Sequence, residues 1–135
     1  MTHMAYWLFK QEPSTYSYSQ LEKDGETVWD GVANNLALKH LKSVKKGDRV
    51  LFYHTGDEKQ AVGIMETVSD PYPDPKDKSL TVVDVRPISR LAKPVTLNAI
   101  KKDPAFSEWE LVRIPRLSVM PVPSKLWERI MKMSE

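Results

Sequence analysis

Two short segments near the N-terminus place aromatic rings beside ions and amides at points where the backbone must turn. One is YWLFKQEP at residues 6–13, and the other is WDGVANN at residues 29–35. A nucleobase is held by stacking on its flat face and by hydrogen bonds to its edge, so a ring beside polar side chains suits that ligand. The pattern therefore predicts a base-binding site centred on Trp29.

Trp29 is the candidate that carries this hypothesis. It is followed by Asp30 and Gly31, which predicts a short connection where the indole presents a face, and base stacking contributes about 1–3 kcal/mol. The alternative is a core tryptophan whose indole N–H has a local partner. Asn34 and Asn35 carry amides that suit a base edge, and they are equally good helix N-caps.

The strand ends add further polar candidates. Lys10 suits a phosphate and Glu12 an exocyclic amine, although a solvated ion pair would look the same in the sequence. Along residues 52–54, Phe52 and His54 should share one face of a strand while Tyr53 points to the other. His54 is either a pocket wall or a strand-end histidine with satisfied hydrogen bonds.

Basic residues suited to phosphate contacts occur in three groups. The first runs from Lys39 to Arg49, the second includes Arg86, and the third contains Arg113 and Arg116. A charged helix face is more often simply solvated, so these residues support binding only together with an aromatic pocket.

Motifs typical of catalysis are missing from the chain. There is no Gly-x-Ser-x-Gly, no His-Glu-x-x-His and no phosphate-binding glycine loop, and the histidines at 3, 40 and 54 lack ligand spacing. We therefore expect neither a metal nor a cofactor, and no catalysis. An enzyme or accessory subunit acting on RNA or a small nucleotide, with Lys10, Glu12 and His54 as acid–base groups, is the alternative.

The composition is that of a globular protein without a large excess of positive charge. Of 135 residues, 41% are hydrophobic and 28% charged, and 20 basic against 18 acidic residues give a net charge of +2. Contacts with nucleic acid must therefore be local. The absence of cysteine excludes disulfides and thiolate sites. No membrane span or secretory signal is encoded, which predicts a cytoplasmic location, or a nuclear one in a eukaryote.

Apolar periodicity predicts one α+β domain over residues 1–135. Strands are expected at 4–10, 49–55, 61–69, 80–88, 111–114 and 117–122, and helices after Ser17, from Asn34 to Val44, after Thr96 and after Ser124. Most loops between consecutive strands are too short for parallel crossovers. A largely antiparallel barrel with helices packed outside is therefore favoured.

Several segments, taken in order from about Ala5 to the C-terminal helix, resemble the EVE domain family. They are YWLFKxEP at 6–13, WxGVxNxxA at 29–37, VLFYH at 50–54, VGI at 62–64, YPDP at 72–75, VDVRP at 83–87, PVTL at 94–97 and RLSV at 116–119. The resemblance implies a PUA-like fold, which is an incomplete, mostly antiparallel β-barrel with flanking helices.

EVE domains are similar to YTH domains, which hold a methylated adenine in an aromatic cage. The resemblance therefore implies a non-catalytic module that recognises a modified base, chiefly a methylated one, in DNA or RNA. By this likeness the pocket would consist of Trp29, the turn with Asp30, Gly31, Val32 and Asn34, then Tyr53 or His54, and Leu117 with Ser118. Lys10 and Glu12 would lie at its mouth.

The chain departs from the common family pattern at three positions. Ala33 and Leu38 stand where arginine is frequent, and Ile114 stands where glutamine is frequent. These changes should weaken phosphate binding or alter the base preference. An interaction domain with a vestigial pocket, bound to a protein partner, is a further alternative to nucleic acid carrying a modified base.

Overall fold

The computed structural model describes residues 4–135, so Met1 to His3 lie outside the described part of the chain. Its strands are β1 (Tyr6–Gln11), β2 (Thr27–Trp29), β3 (Arg49–His54), β4 (Gln60–Thr67), β5 (Tyr72–Asp74), β6 (Asp77–Thr96) and β7 (Val119–Pro121). Its helices are α1 (Tyr18–Asp24), α2 (Asn35–Lys42), α3 (Leu97–Lys101), α4 (Glu110–Arg113) and α5 (Ser124–Met133), with a 3-10 turn at Pro104–Phe106.

The strands form one curled sheet. Their order is β2-β6-β4-β3-β1-β7, and β5 pairs with β6 outside this path. The pair β1–β3 is parallel and the other five pairs are antiparallel. Three strands separate β1 from β2 in this order, yet the rings of Phe9 and Trp29 lie 5.4 Å apart. The sheet therefore curls into an incomplete barrel, which confirms the predicted architecture.

Several local predictions are confirmed. The Oγ of Ser17 accepts a hydrogen bond from the backbone N–H of Gln20 and begins α1. The Oγ1 of Thr96 does the same for Ala99 at the start of α3. The segments around residues 50 and 64 form the expected antiparallel pair, β3 with β4. These signals were reliable because each depends on neighbours in sequence.

Other predictions were wrong. Residues 111–113 belong to a helical turn, α4, and the N–H of Ile114, directly after it, donates to the carbonyl of Glu110. Four apolar-rich residues are too few to distinguish a strand from a helix by periodicity. Ser124 makes no side-chain cap; it is the first residue of α5, after Pro123. The short strand β5 was missed, and β6 is 20 residues long instead of the expected nine.

A buried carboxylate holds the start of β1 against β3. Asp48 accepts hydrogen bonds at Oδ2 from the indole N–H of Trp7 at 2.9 Å and from the N–H of Lys45 at 2.9 Å. Its Oδ1 accepts from the N–H of Ala5 at 3.2 Å. Because buried carboxylates need such donors, Asp48 ties the strand register to the turn that precedes β3.

Candidate nucleic-acid interface

Two clefts lie at the carboxyl ends of the parallel strands β1 and β3. Lys10 is opposite Tyr53 in this pair, and Gln11 is opposite His54. Side chains alternate between the faces of a strand, so Lys10 and Tyr53 share one face while Gln11 lies on the other. Each face forms a cleft of about 250 Å³.

We call the first the tryptophan cleft. It is lined by Gln11, Thr15, Tyr16, Thr27, Val28, Trp29 and Asp30. The ring of Trp29 is 4% exposed and lies 5.4 Å from that of Phe9 and 5.2 Å from that of Phe52, centroid to centroid. Trp29 is the last residue of β2, not part of a free connection as predicted. Its indole is largely core and contributes only a margin to the cleft.

The polar lining of the tryptophan cleft is acidic or neutral. Asp30 is exposed, and none of the lining residues is basic. The hydroxyl of Tyr16 donates to Oδ2 of Asp24 at 2.8 Å, which fixes the position of the ring. The amide oxygen of Gln11 accepts from the N–H of Glu12 at 3.0 Å, so its NH2 group is directed by that bond. These groups offer both donors and acceptors to a neutral polar ring.

We call the second the lysine pocket. It is lined by Lys10, Tyr53, Thr55, Gly56, Lys59, Leu97, Lys101, Leu111 and Pro115. The Nζ of Lys10 lies 5.6 Å from the centroid of the Tyr53 ring and donates to the carbonyl of Pro115 at 2.9 Å. Burial lowers the pKa of Lys10, and burial raises the pKa of Tyr53 to about 12. In both residues burial disfavours the charged form of the side chain.

A glycine lets the β3–β4 loop approach the end of β1. Gly56 has φ +72°, and a Cβ there would clash with Oε2 of Glu12. Glu12 also accepts weak hydrogen bonds at Oε1 from the N–H and the hydroxyl of Ser14, at 3.4 and 3.3 Å. The Glu12 carboxylate thus packs between its own turn and the loop, and the lining residues of the lysine pocket do not include it.

The turn after Trp29 is mainly structural. Gly31 has φ +78°, which favours glycine, and Val32 is buried in the core. The Oδ1 of Asn34 accepts from the N–H of Ala37 at 3.0 Å and caps α2. Of the two uses considered for Asn34, the structure shows the cap.

His54 and the 117–118 segment also have structural contacts. The Nε2 of His54 accepts from the N–H of Tyr18 at 3.1 Å, and its Nδ1 lies 2.9 Å from Oε1 of Glu58. Leu117 is buried, and the carbonyl of Ser118 accepts from the N–H of Lys10 at 2.9 Å. The structure thus brings Ser118 and Tyr53 next to Lys10, and places Trp29 on the opposite face of the strand pair.

The predicted phosphate-binding cations are dispersed. Lys39 is exposed on α2. Arg86 forms an ion pair with Glu66 on β4 at 2.8 Å, and Arg113 lies 3.9 Å from Glu108. Arg113 and Arg116 flank Pro115 of the lysine pocket in sequence. Of the residues predicted to bind phosphate, Lys10 is the one among the lining residues of the two clefts.

Sequence reasoning missed several lining residues. Gln11, Thr15, Tyr16, Thr27 and Val28 were not proposed for the tryptophan cleft, nor Lys59 and Lys101 for the lysine pocket. The last two are 42 positions apart and come together because β6 leads into α3 beside the β3–β4 loop, where the N–H of Leu97 donates to the carbonyl of Lys59 at 2.9 Å. Only the strand pairing could have revealed that meeting.

Residues 4–135 contain neither a metal-binding cluster nor a membrane-spanning helix. No group of three or more His, Asp or Glu side chains in this range is placed to hold a metal ion. Within the same residues, no helix has the length and apolar character needed to cross a membrane.

Fold and comparisons together define the class. The curled sheet with outer helices is a PUA-like α+β domain. The family model described as "EVE domain" matches residues 5–133, and the chain belongs to that family. A solution structure from Rhodopseudomonas palustris is 39% identical, with a TM-score of 0.92, and the match covers 97% of this chain and 93% of that one.

Two further relatives are thymocyte nuclear protein 1 from different mammals. The rat protein is 26% identical over an alignment of 166 positions, gaps included, which covers 96% of this chain and 74% of the relative. The structure of human THYN1 in complex with 5-methylcytosine-containing DNA is 23% identical, with a TM-score of 0.90, and the match covers 97% of this chain and 98% of the human one. At that identity the human structure establishes the shared fold.

Proposed function

We propose that this chain is a non-catalytic module that binds nucleic acid carrying a methylated base. The proposed ligand is DNA containing 5-methylcytosine, and the methylated base enters the tryptophan cleft. The single observation that carries the proposal is the cleft beside Trp29, which combines two aromatic side chains with uncharged and acidic polar groups and has no basic lining residue. The human relative, which shares the fold, was crystallised with DNA containing that base.

The chemistry of the cleft suits a cytosine ring. Its exocyclic N4 amine is a donor, and carboxylates are its usual partners in proteins; Asp30 supplies an exposed carboxylate. Gln11 and Thr27 offer further polar atoms, and the ring of Tyr16 offers a stacking face. A phosphate is disfavoured there by Asp30, so the cleft selects the base and not the backbone.

A base must leave the helical stack to reach such a cleft. A methyl group adds about 0.8 kcal/mol of burial, so burial alone gives a preference of about four-fold for the methylated base. Larger ratios require hydrogen bonds from fixed side chains. Gly31, Val32 and Asn34 contribute by holding the chain between Trp29 and α2, and His54, Leu117 and Ser118 by holding the strand ends. Lys10, Arg113 and Arg116 would contact phosphates of the bound strand, and Tyr53 and Glu12 would hold the chain around Lys10. Lys39 and Arg86 would contribute little, because Lys39 is on α2 and Arg86 is paired with Glu66.

The absence of catalysis is part of the proposal. Both ring nitrogens of His54 are engaged, one with the N–H of Tyr18 and the other with Glu58. Lys10 is bound to the Pro115 carbonyl, and Glu12 lies against Gly56. The three groups considered for acid–base chemistry therefore contact separate partners, which supports a binding module. Its location would be where nucleic acid is, in the cytoplasm or, in a eukaryote, the nucleus.

The test uses fluorescence anisotropy with labelled oligonucleotides, single-stranded and duplex, that differ at one position. That position is cytosine, 5-methylcytosine or thymine, because thymine has the same methyl group but a carbonyl in place of the amine. We expect the oligonucleotide with 5-methylcytosine to bind more tightly than the one with cytosine. The affinity for thymine should be lower than that for 5-methylcytosine by about 10-fold or more, since a hydrogen bond to a charged group contributes about 1.5–3 kcal/mol.

The matched variants are Asp30→Asn and Asp57→Asn, which remove one exposed negative charge each. Asp30→Asn should reduce the ratio of the affinity for 5-methylcytosine to the affinity for thymine, while Asp57→Asn should leave that ratio unchanged. Equal binding of the unaltered protein to all three oligonucleotides would overturn the proposal. The same measurement with RNA oligonucleotides of these sequences shows whether the affinity depends on the sugar.

A further inference from the structure

The lysine pocket concentrates positive charge, although the carboxylate of Glu12 packs against Gly56 at its edge. Three lysines line it, Lys10, Lys59 and Lys101, and none of the lining residues is acidic. The six ion pairs found in residues 4–135 all involve arginine or histidine, so none of these three ammonium groups has an acidic partner within 4.0 Å. Like charges that share a small space repel one another, and a bound anion would relieve that repulsion.

The rest of the lining strengthens electrostatic attraction. Leu97, Leu111 and Pro115 are apolar and reduce the access of water to one side of the pocket. Tyr53 is 2% exposed and forms the floor under Lys10. A charge–charge interaction is worth more in such a partly dry environment than on open surface. The lowered pKa of Lys10 has the same origin, because burial without a counter-charge disfavours its ammonium form.

The pocket lies directly behind the tryptophan cleft. Lys10 and Gln11 are consecutive residues of β1, with Cα atoms about 3.8 Å apart, and their side chains point into the two different clefts. Both clefts open where β1 and β3 end, and the N–H of Thr55 donates there to the carbonyl of Gln11 at 3.0 Å. A polymer that places a base in one cleft therefore passes the rim of the other.

From this arrangement we propose that the lysine pocket is a backbone subsite, which binds a phosphate of the same strand whose base enters the tryptophan cleft. The inference rests on the proposed function for the identity of the strand. Arg113 and Arg116 are close to Pro115 in sequence, and Arg113 lies 3.9 Å from Glu108, so the charge of the subsite comes from the three lysines. A volume of about 250 Å³ is below the range of about 300–1,000 Å³ typical of whole small-molecule sites. The pocket therefore suits one phosphate with part of its sugar.

The test is a double variant, Lys59→Gln with Lys101→Gln, which keeps a polar side chain of similar reach and removes two charges. Both residues are exposed, so the variant should fold. The control is Lys125→Gln with Lys132→Gln, two exposed lysines of α5. Affinity for the 5-methylcytosine oligonucleotide is measured by anisotropy over a series of salt concentrations.

We expect the pocket variant to bind more weakly, with the slope of log K against log salt reduced by about 0.7–0.9 for each phosphate that the variant no longer neutralises. The weakening should be equal for methylated and plain oligonucleotides, so their affinity ratio stays the same. The α5 variant should match the unaltered protein in slope and affinity. An unchanged slope in the pocket variant would overturn the proposal.

A second arm separates a strand phosphate from a free one. Oligonucleotides with neutral methylphosphonate linkages beside the methylated base should weaken binding to the unaltered protein and cause no further weakening in the pocket variant. If instead inorganic phosphate or a mononucleotide binds the pocket while the methylphosphonates have no effect, the subsite serves a free anion and the proposal is wrong. If methylated and plain DNA bind equally, the base-reading function fails, and the slope on plain DNA still decides the subsite.

Discussion

The tryptophan cleft and the lysine pocket have the same volume and the same supporting strands, and they differ in charge. The lining of the first contains one carboxylate and no cation; that of the second contains three lysines and no carboxylate. The difference comes from strand geometry, because Lys10 and Gln11 point to opposite faces of β1. One strand end can therefore present a surface for a neutral ring and a surface for an anion without a change of fold.

The two clefts also differ in how deeply they are built into the protein. The margin of the tryptophan cleft is a core residue, packed between the rings of Phe9 and Phe52. The outer cations of the lysine pocket, Lys59 and Lys101, are exposed residues on a loop and on α3. Changes at Trp29 should therefore affect folding as well as binding, while changes at Lys59 and Lys101 should affect binding alone.

The largest expected effect is that of Trp29→Ala. Because the ring is 4% exposed, its removal should lower the free energy of unfolding by about 3–5 kcal/mol, as for other large aromatic residues replaced in cores. The measurement is urea denaturation followed by circular dichroism. Val28→Ala, in the same cleft but 45% exposed, is the control and should cost less than about 1 kcal/mol. A Trp29→Ala protein as stable as the control would mean that the cleft is independent of the core.

A smaller effect is expected from pH, and only through the lysine pocket. Since burial lowers the pKa of Lys10 from its ordinary value of 10.5, its charge is lost at a lower pH than that of a free lysine. DNA affinity should therefore weaken as the pH is raised towards 10.5, while the ratio of methylated to plain DNA stays constant.

Lys10→Arg is the control for this titration, because a guanidinium stays charged throughout the range. Its affinity should remain nearly flat over the interval in which that of the unaltered protein falls. If both proteins lost DNA affinity in parallel, a group other than Lys10 would be responsible for the titration. A pH-dependent change in the ratio of affinities for methylated and plain DNA would connect the effect to the tryptophan cleft.

The smallest effect is expected outside both clefts. Arg86 is paired with Glu66, whose pKa is lowered mainly by the hydrogen bond from Arg49 and also by Arg86. Arg86→Gln should change DNA affinity less than about two-fold, as should Lys39→Gln on α2, since exposed charges far from the strand path are screened by salt. A loss of DNA affinity as large as that of the lysine-pocket variant would mean that the DNA-binding surface also includes β6 or α2.

The sequence predicted well what depends on neighbours in the chain. The caps at Ser17 and Thr96 and the hairpin after Arg49 follow from local hydrogen bonding and alternation. It predicted poorly what depends on partners distant in the chain. Whether Trp29 lies in a loop or in the core is decided by Phe9 and Phe52, from two other strands.

The candidate site shows the same division. Lys10 and Tyr53 were both selected from sequence, and the structure places them together. Sequence could not show that Trp29 belongs to the other face, because the parallel register of β1 and β3 determines it. Lys59 and Lys101 had no local pattern that distinguished them from solvated lysines.

Asp48 fixes the strand register on which the tryptophan cleft and the lysine pocket both depend, although it lies beside the opposite end of β1. Four residues, or about 13 Å of strand, separate Gln11 from Trp7, whose indole N–H is bound by Asp48. If β1 moved along β3 by a single residue, every side chain would change face, and the ammonium of Lys10 would enter the tryptophan cleft, which we propose as the base site. Redesign of residues 10–12 to change the ligand preference therefore requires that Asp48 stay unchanged. The register that Asp48 holds determines which of the two clefts each substituted side chain faces.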